Sequence, residues 1–162
     1  MKHKKIKNIK AIKSIVARLK KQRKRVVFTN GCFDILHVGH IRYLRKAKSL
    51  GDILVVGLNT DRSVKQIKGE KRPIVPQKER AEVLASLECV DYLVLFDEPD
   101  PFSLVEKVKP TILVKGADWP KDKIIGGDVV EKAGGRVVRI PLVVGASSTG
   151  VIERIIRAYC GK

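Results

Sequence analysis

The sequence predicts an α/β fold, five parallel strands covered by helices on both faces, and three observations predict it. Five short apolar runs, at residues 25–29, 53–58, 92–96, 111–114 and 136–140, are rich in Val, Ile and Leu and too short for helices. Segments with apolar residues at helical spacing stand between them. Four of the runs are followed by a turn with glycine or proline and the one at 53–58 by the polar Asn59 to Ser63, the pattern of repeated βα units that gives a parallel sheet. The run at 53–58 is continuously apolar, as a central strand buried on both faces must be.

Taken in order, residues 1–24 are expected to form a basic amphipathic helix ahead of a domain over 25–162. Ile6, Ile9, Ile12, Ile15, Val16 and Leu19 recur at helical spacing, which docks one side of that helix and leaves its lysines in water. After strand one, a turn containing Gly31 leads into a helix over 38–49, stopped at Gly51. Strand two runs into Asn59-Thr60-Asp61-Arg62-Ser63, whose side-chain oxygens suit a helix start, and a short helix ends near residue 67. Residues 68–76 form a charged, proline-punctuated loop, and Ala81, Val83, Leu84 and Leu87 place a helix over 77–87. Strand three gives way to a break at 97–101 and a helix over 102–108. Strand four opens into the Lys115-Gly116-Ala117-Asp118-Trp119-Pro120 loop. A helix near 127–133, the Gly134-Gly135 turn, strand five and a loop over 141–148 lead to a last helix through 158.

The chain of 162 residues suits one domain with a substantial core, and an apolar content of 44% argues against disorder. It contains no apolar run of the roughly 18 residues that a membrane span needs. The basic N-terminus is not followed by an apolar segment, so no secretory signal is expected and the reading is cytoplasmic. Cys32, Cys89 and Cys160 are far apart, which suggests neither a disulfide framework nor a zinc site. Asparagine and glutamine are scarce beside Lys, Arg and Glu, a compositional hint of a thermophilic source.

Of the net charge of +17, residues 1–25 carry twelve Lys or Arg and no acid, leaving 22 basic against 17 acidic residues elsewhere. Such an arm could hold nucleic acid or another anionic surface. It has no aromatic or base-reading group, so the docked helix is the favoured account, and neither nucleic acid nor membrane is an expected partner.

In an open parallel sheet, ligands bind outside the carboxyl ends of the strands. Four segments should meet there: residues 29–40, the Asn59-Thr60-Asp61 turn, the Lys115-Gly116 loop, and Gly145-Ala146-Ser147-Ser148-Thr149. The first is Thr29-Asn30-Gly31-Cys32-Phe33-Asp34-Ile35-Leu36-His37-Val38-Gly39-His40. A strand that enters a helix through a glycine turn offers bare N–H groups to a phosphate. His37 and His40, three residues apart, lie on nearly one helix face, with Gly39 between them leaving an approach open. Two imidazoles backed by lysines can donate to phosphoryl oxygens while charge builds, which points to nucleotidyl transfer. The plainer alternative is a turn cap at His37 and an ordinary polar residue at His40.

The stretch from Thr29 to His40 resembles the Gly-x-Phe-Asp-x-x-His-x-Gly-His signature of the cytidylyltransferase-like nucleotidyltransferases, and Gly145 to Thr149 with Arg154 resembles their second signature. Within that family, Val27 to His37 together with Leu113-Val114-Lys115-Gly116-x-Asp118 is most similar to the adenylyltransferase domain of bacterial ADP-heptose synthases, often fused behind a sugar kinase. The resemblance implies a Rossmann-like, doubly wound sheet of order 3-2-1-4-5 and transfer of AMP from ATP to D-glycero-β-D-manno-heptose 1-phosphate. It implies His37, His40, Asp34 and Lys46 as catalytic residues. It implies contacts to the nucleotide or its phosphates from Thr29, Asn30, Gly31, Phe33, Gly39, Lys68, Arg72, Lys115, Gly116, Asp118, Ser147, Ser148, Thr149 and Arg154. Mg²⁺ would ride mainly on the ATP phosphates, with Asp34 the one side chain placed to touch it. A homodimer and a separate heptose kinase acting upstream are the implied partners. Related cytidylyltransferases often carry an Arg-Thr pair where this chain has Val143 and Val144, which weakens transfer of CMP. The rival readings are another adenylyl- or cytidylyltransferase, acting on glycerol 3-phosphate, ethanolamine phosphate or FMN, and a nucleic-acid-binding protein that uses the basic arm.

Overall fold

A computed structural model describes residues 3–160; residues 1–2 and 161–162, the outer ends of the two expected segments, lie outside the described residues. Its sheet has five strands, β1 (Val26–Gly31), β2 (Ile53–Asn59), β3 (Tyr92–Phe96), β4 (Ile112–Gly116) and β5 (Arg136–Ile140). Their order is β3-β2-β1-β4-β5, all neighbours parallel, as expected. Seven helices alternate with them: α1 (Ile9–Lys21), α2 (Val38–Lys48), α3 (Asp61–Lys68), α4 (Gln77–Ser86), α5 (Phe102–Val108), α6 (Gly127–Lys132) and α7 (Ser148–Tyr159). β1 runs two residues beyond its expected end because Asn30 and Gly31 still pair with Gly57 and Leu58.

Strand side chains alternate between two apolar cores with a period of two residues. Val27, Leu54, Val56, Leu58, Leu93, Ile112 and Val114 face Leu44, Ala47, Ala81 and Leu84 of α2 and α4. Val26, Phe28, Val55, Val94 and Leu113 face the other way, toward Ile12, Val16, Leu104, Val105 and Val130 of α1, α5 and α6. β1 lies centrally, and the direction of strand addition reverses between β1 and β4, so a crevice opens at their carboxyl ends.

The N-terminal segment departs from its expected form. Ile6 is not helical; it bridges Leu93 in parallel, with the Leu93 N–H donating to Lys5 O and the Lys7 N–H to Leu93 O. The 3,3 spacing of Ile6, Ile9 and Ile12 conceals a change from strand to helix at Asn8, whose Oδ1 accepts from the Ala11 N–H at 2.8 Å. Residues 5–7 therefore cover the open edge of β3, and Ile6 packs in the opposite core from Ile12. α1 docks through Ile12 and Val16, 0% and 2% exposed, while Arg18, Lys20 and Lys21 complement the dipole of its last turn. No described helix is long and apolar enough to cross a membrane.

Truncation of a fully buried isoleucine costs about 2–5 kcal/mol, whereas a solvated lysine costs within about 0.5 kcal/mol. Ile12→Ala should lower the unfolding free energy by such an amount in a urea titration, and Lys13→Ala should not. Equal, negligible effects would show that α1 contributes nothing to the core.

Candidate active site

At the end of β1 the chain turns sharply enough to place Phe33 at φ +42°. A Cβ at position 31 would stand 3.1 Å from Phe33 Cε2, so glycine is what lets the ring fold back beneath the turn. Phe33 then meets His40 edge-on, ring centroids 5.2 Å apart, and His40 stacks on His37 at 3.9 Å with the planes 28° apart. His37 is the N-cap residue of α2 but its side chain makes no capping bond. Gly39 also serves packing: a Cβ there would lie 2.9 Å from the His37 ring and 3.1 Å from Ala146 Cβ.

Nδ1 of both histidines and Oδ1 of Asn30 are buried without a hydrogen-bond partner among the described residues. Protein interiors rarely leave such groups unmet away from a ligand site. Burial, then repulsion from His37, pushes the His40 pKa down to about 4. Burial and the neighbouring Arg154 charge also lower that of His37. His40 is therefore an uncharged imidazole at neutral pH, a hydrogen-bonding group and not a fixed cation.

From the far end of the sequence, α7 brings its N-terminus to the same place. Ser147 Oγ caps the helix by accepting from the Gly150 N–H at 2.9 Å, and Ser148 Oγ donates to Ile35 O at 3.0 Å. The Ser148 hydroxyl is thus a tie between the two motifs, with its lone pairs alone left for a ligand. β4 contributes Lys115, whose Nζ lies 5.7 Å from the centre of the Trp119 ring. Burial lowers its pKa to about 8, with Cys32 and Asp118 opposing the shift.

The loop over 68–76 is held down by Asp34, which is 4% exposed. One or both carboxylate oxygens accept from Arg72 Nε at 2.5 Å, Ile74 N–H at 2.8 Å and Val75 N–H at 2.9 Å. Burial alone would raise its pKa, but the Val75 and Ile74 N–H groups and Arg72 outweigh it and hold the carboxyl below its usual range. Asp34 lines the cavity as expected, but these three donors occupy most of its acceptor sites and tie it to the loop. Among the described residues no cluster of three His, Cys, Asp or Glu could hold a metal.

Together these segments line a cavity of about 480 Å³ at the carboxyl ends of the strands, within the range of small-ligand sites. Of the residues expected at the site, all line it except Thr29, Lys46 and Arg154. Thr29 is fully buried, its hydroxyl bonded to Tyr43 Oη at 2.7 Å inside the sheet layer. Lys46 is exposed, nearly two turns beyond His40, where the helical advance takes it off the histidine face. Arg154 stands exposed on α7 at the rim, close enough to act on His37.

Sequence reasoning did not single out Tyr43 or Leu142, which also line the cavity, nor Arg80, which is buried beside it. Cys32 also lines the cavity. A second cavity of about 520 Å³, bounded by Phe102, residues 121–128, Glu131 and Val137, shares Ile125 but no residue of the histidine turn.

Comparison with known proteins agrees with this geometry. The family model described as cytidylyltransferase-like matches residues 28–154. The chain is similar to the Bifunctional protein HldE of Geobacter sulfurreducens, 54% identical over 155 residues, covering 96% of this chain and 32% of that protein. It is 50% identical to that of Magnetococcus marinus over 151 residues, covering 93% and 31%. The chain thus spans about a third of the length of the curated relatives it matches. The crystal structure of the lipopolysaccharide core biosynthesis protein from Thermoplasma volcanium superposes with a TM-score of 0.61 at 35% identity, over 74% of this chain and 97% of that one. A pantoate-beta-alanine ligase from Francisella tularensis, 20% identical with a TM-score of 0.60 over 97% of this chain and 79% of its own, shares the fold. With the family model covering most of the chain and both of its signatures meeting in one cavity, the chain belongs to the cytidylyltransferase-like family and is a nucleotidyltransferase.

Proposed function

We propose that the chain transfers AMP from ATP to D-glycero-β-D-manno-heptose 1-phosphate, releasing pyrophosphate and forming ADP-heptose, a precursor of the lipopolysaccharide core. The observation that carries this reading is the meeting of the stacked His37–His40 pair with the N-terminus of α7 in a cavity also lined by Lys68, Arg72 and Lys115. The similarity of Val27 to His37 and of residues 113–118 to ADP-heptose synthases supports the choice of sugar, as do the HldE relatives and the Thermoplasma lipopolysaccharide core biosynthesis protein.

The acceptor phosphate is already ionised near neutral pH, so no general base is required. One of its oxygens bonds to the α-phosphorus of ATP as the bond to the β-phosphate bridging oxygen breaks, and that electron pair leaves with pyrophosphate. Catalysis is then positioning and charge stabilisation. His37 and His40 donate to the phosphoryl oxygens, Lys68, Arg72 and Lys115 offset the growing charge, and the amides at the start of α7 hold the β- and γ-phosphates. Mg²⁺ enters in this reading bound to the ATP phosphates, as part of the substrate.

Val143 lines the cavity and Val144 is 98% exposed, so neither supplies the cation that the Arg-Thr pair gives related cytidylyltransferases. This favours ATP over CTP. The reading also includes a heptose kinase upstream, a cytoplasmic setting, and a homodimer, for which the exposed Ile155, Ile156 and Tyr159 of α7 are the candidate face.

Pyrophosphate release should be fast with ATP and heptose 1-phosphate, and slow with CTP or with glycerol 3-phosphate, ethanolamine phosphate or FMN. Preference for CTP and glycerol 3-phosphate would overturn the substrate assignment. Loss of one transition-state donor costs on the order of 10²–10³ in rate, so His37→Ala and His40→Ala should each lower kcat by that factor with unfolding midpoints near wild type. Near-normal turnover in both would remove the histidines from the mechanism.

The His40 ionisation also predicts a stability profile. Its folded pKa of about 4 lies below the 6.5 of a free histidine, so between those limits the unfolded chain binds a proton that the folded chain refuses. Stability should fall as pH drops from 6.5 toward 4, and His40→Gln should flatten that part of the profile in urea titrations. An unchanged slope would mean that His40 titrates normally.

A further inference from the structure

Arg80 is a group the mechanism does not use, and it is the largest fully buried side chain in the described chain. It sits on α4, facing inward with Leu84 one turn on. Its guanidinium donates through Nε to Val75 O at 2.9 Å and through Nη1 to Cys32 O at 2.6 Å and Asn59 O at 2.9 Å. Nη2 reaches Asp61 Oδ1 at 2.7 Å. The carbonyls belong to three different segments, the turn after β1, the end of β2, and the loop over 68–76. That loop follows α3 from Lys68, brings Arg72 over the cavity and is held from its other side by Asp34.

We infer that Arg80 is a positioning residue for nucleotidyl transfer, one that never meets substrate but fixes the cationic loop against the histidine turn. The inference rests on the proposed reaction for its effect on turnover, and on the hydrogen bonds alone for its hold on the loop. A guanidinium suits the task because its planar fork serves several acceptors at set angles, which the point charge of a lysine cannot reproduce. Buried and bonded to carbonyls of three segments at this end, Arg80 sets the distance between Arg72 and His37 as a property of the fold. Loss of the fork should free the loop while the sheet stays intact.

The test is Arg80→Lys in the full chain, read three ways. Amide exchange at Ile74 and Val75 should quicken about tenfold or more, while Val55 and Val56 in β2 keep their protection. The kcat/KM for ATP should fall about 10–100-fold, the scale of a small misplacement of catalytic groups. In the Arg72→Ala background the further loss should be much smaller than in wild type, since both changes act through one loop. Asp61→Asn, which removes only the ion pair, is the second variant should Arg80→Lys fail to fold, with the same effects on a smaller scale. Uniformly faster exchange, a loosened loop with unchanged kcat/KM, or fully multiplicative losses would each overturn the assignment and leave Arg80 a core residue. ATP affinity is read in parallel from the fluorescence of Trp119, the chain's single tryptophan and a cavity residue. A wild-type protein that binds ATP but transfers nothing to heptose 1-phosphate overturns the proposed reaction, while exchange and affinity still decide the role of Arg80.

Discussion

Two buried ions, Asp34 and Arg80, are the interaction on which the rest of the site depends. A parallel sheet puts the loops that follow its strands at one end, where strand carbonyls and loop amides lose their ladder partners. Asp34 accepts from two loop amides and Arg72, and Arg80 donates to three carbonyls and Asp61. Taking each charge out of water costs several kcal/mol, and only full hydrogen bonding offsets it. Removing a partner is correspondingly expensive, so the arrangement tolerates few intermediate geometries. The loop over 68–76 is clamped from both sides: Asp34 binds the N–H groups of Ile74 and Val75, and Arg80 binds the carbonyl of Val75.

That clamping has a chemical use. Phosphoryl transfer needs charges already in place, because cations that swing into position at the transition state spend reorganisation energy there. The cavity combines two kinds of donor. Lys68 at the end of α3 and Arg72 on the loop after it bring charge, whereas His40, its pKa held near 4 by burial, brings an uncharged imidazole as a hydrogen-bonding group. The costs collect here too: Phe33 sits at a positive φ, and three polar atoms of Asn30, His37 and His40 have no partner among the described residues. Strain and unmet polarity gathered at one place mark a surface selected for something besides stability.

Much of this was readable in the sequence, for identifiable reasons. Strands buried on both faces leave uninterrupted apolar runs, and the strand order and the meeting of two motifs some 110 residues apart followed from the repeated βα pattern and from the resemblance. What escaped was whatever depends on where a side chain ends. Thr29 belongs to the right motif but its hydroxyl turns into the layer to meet Tyr43. Lys46 is on the right helix at the wrong angle. Asp34, read as free to orient the acceptor, is bound by the loop that sequence left undefined. Arg80 was legible in principle, since it stands four residues before Leu84 and seven before Leu87 on the stripe that marks the inner face of α4, while Val83, counted in that stripe, is 49% exposed. A charged residue on an apolar stripe is a stronger signal than one on a polar face, because burying it demands partners.

The most economical link in the site is also the most exposed to change. α7 carries Ser147, Ser148 and Thr149 and yet has no buried residue of its own. What fixes its start is local: the Ser147 cap, the bond from Ser148 to Ile35 O, and the close approach of Ala146 to the backbone of Gly39. A helix held by its N-terminus has its remaining free amides aimed at one place, and the cap satisfies only one of the first four. Under the proposed reaction a triphosphate at that end supplies acceptors for amides the protein leaves open, and its charge meets the positive end of the helix dipole. Binding ATP and securing α7 then become a single event, and the two motifs at opposite ends of the chain act as one site because the substrate itself supplies contacts that the fold does not.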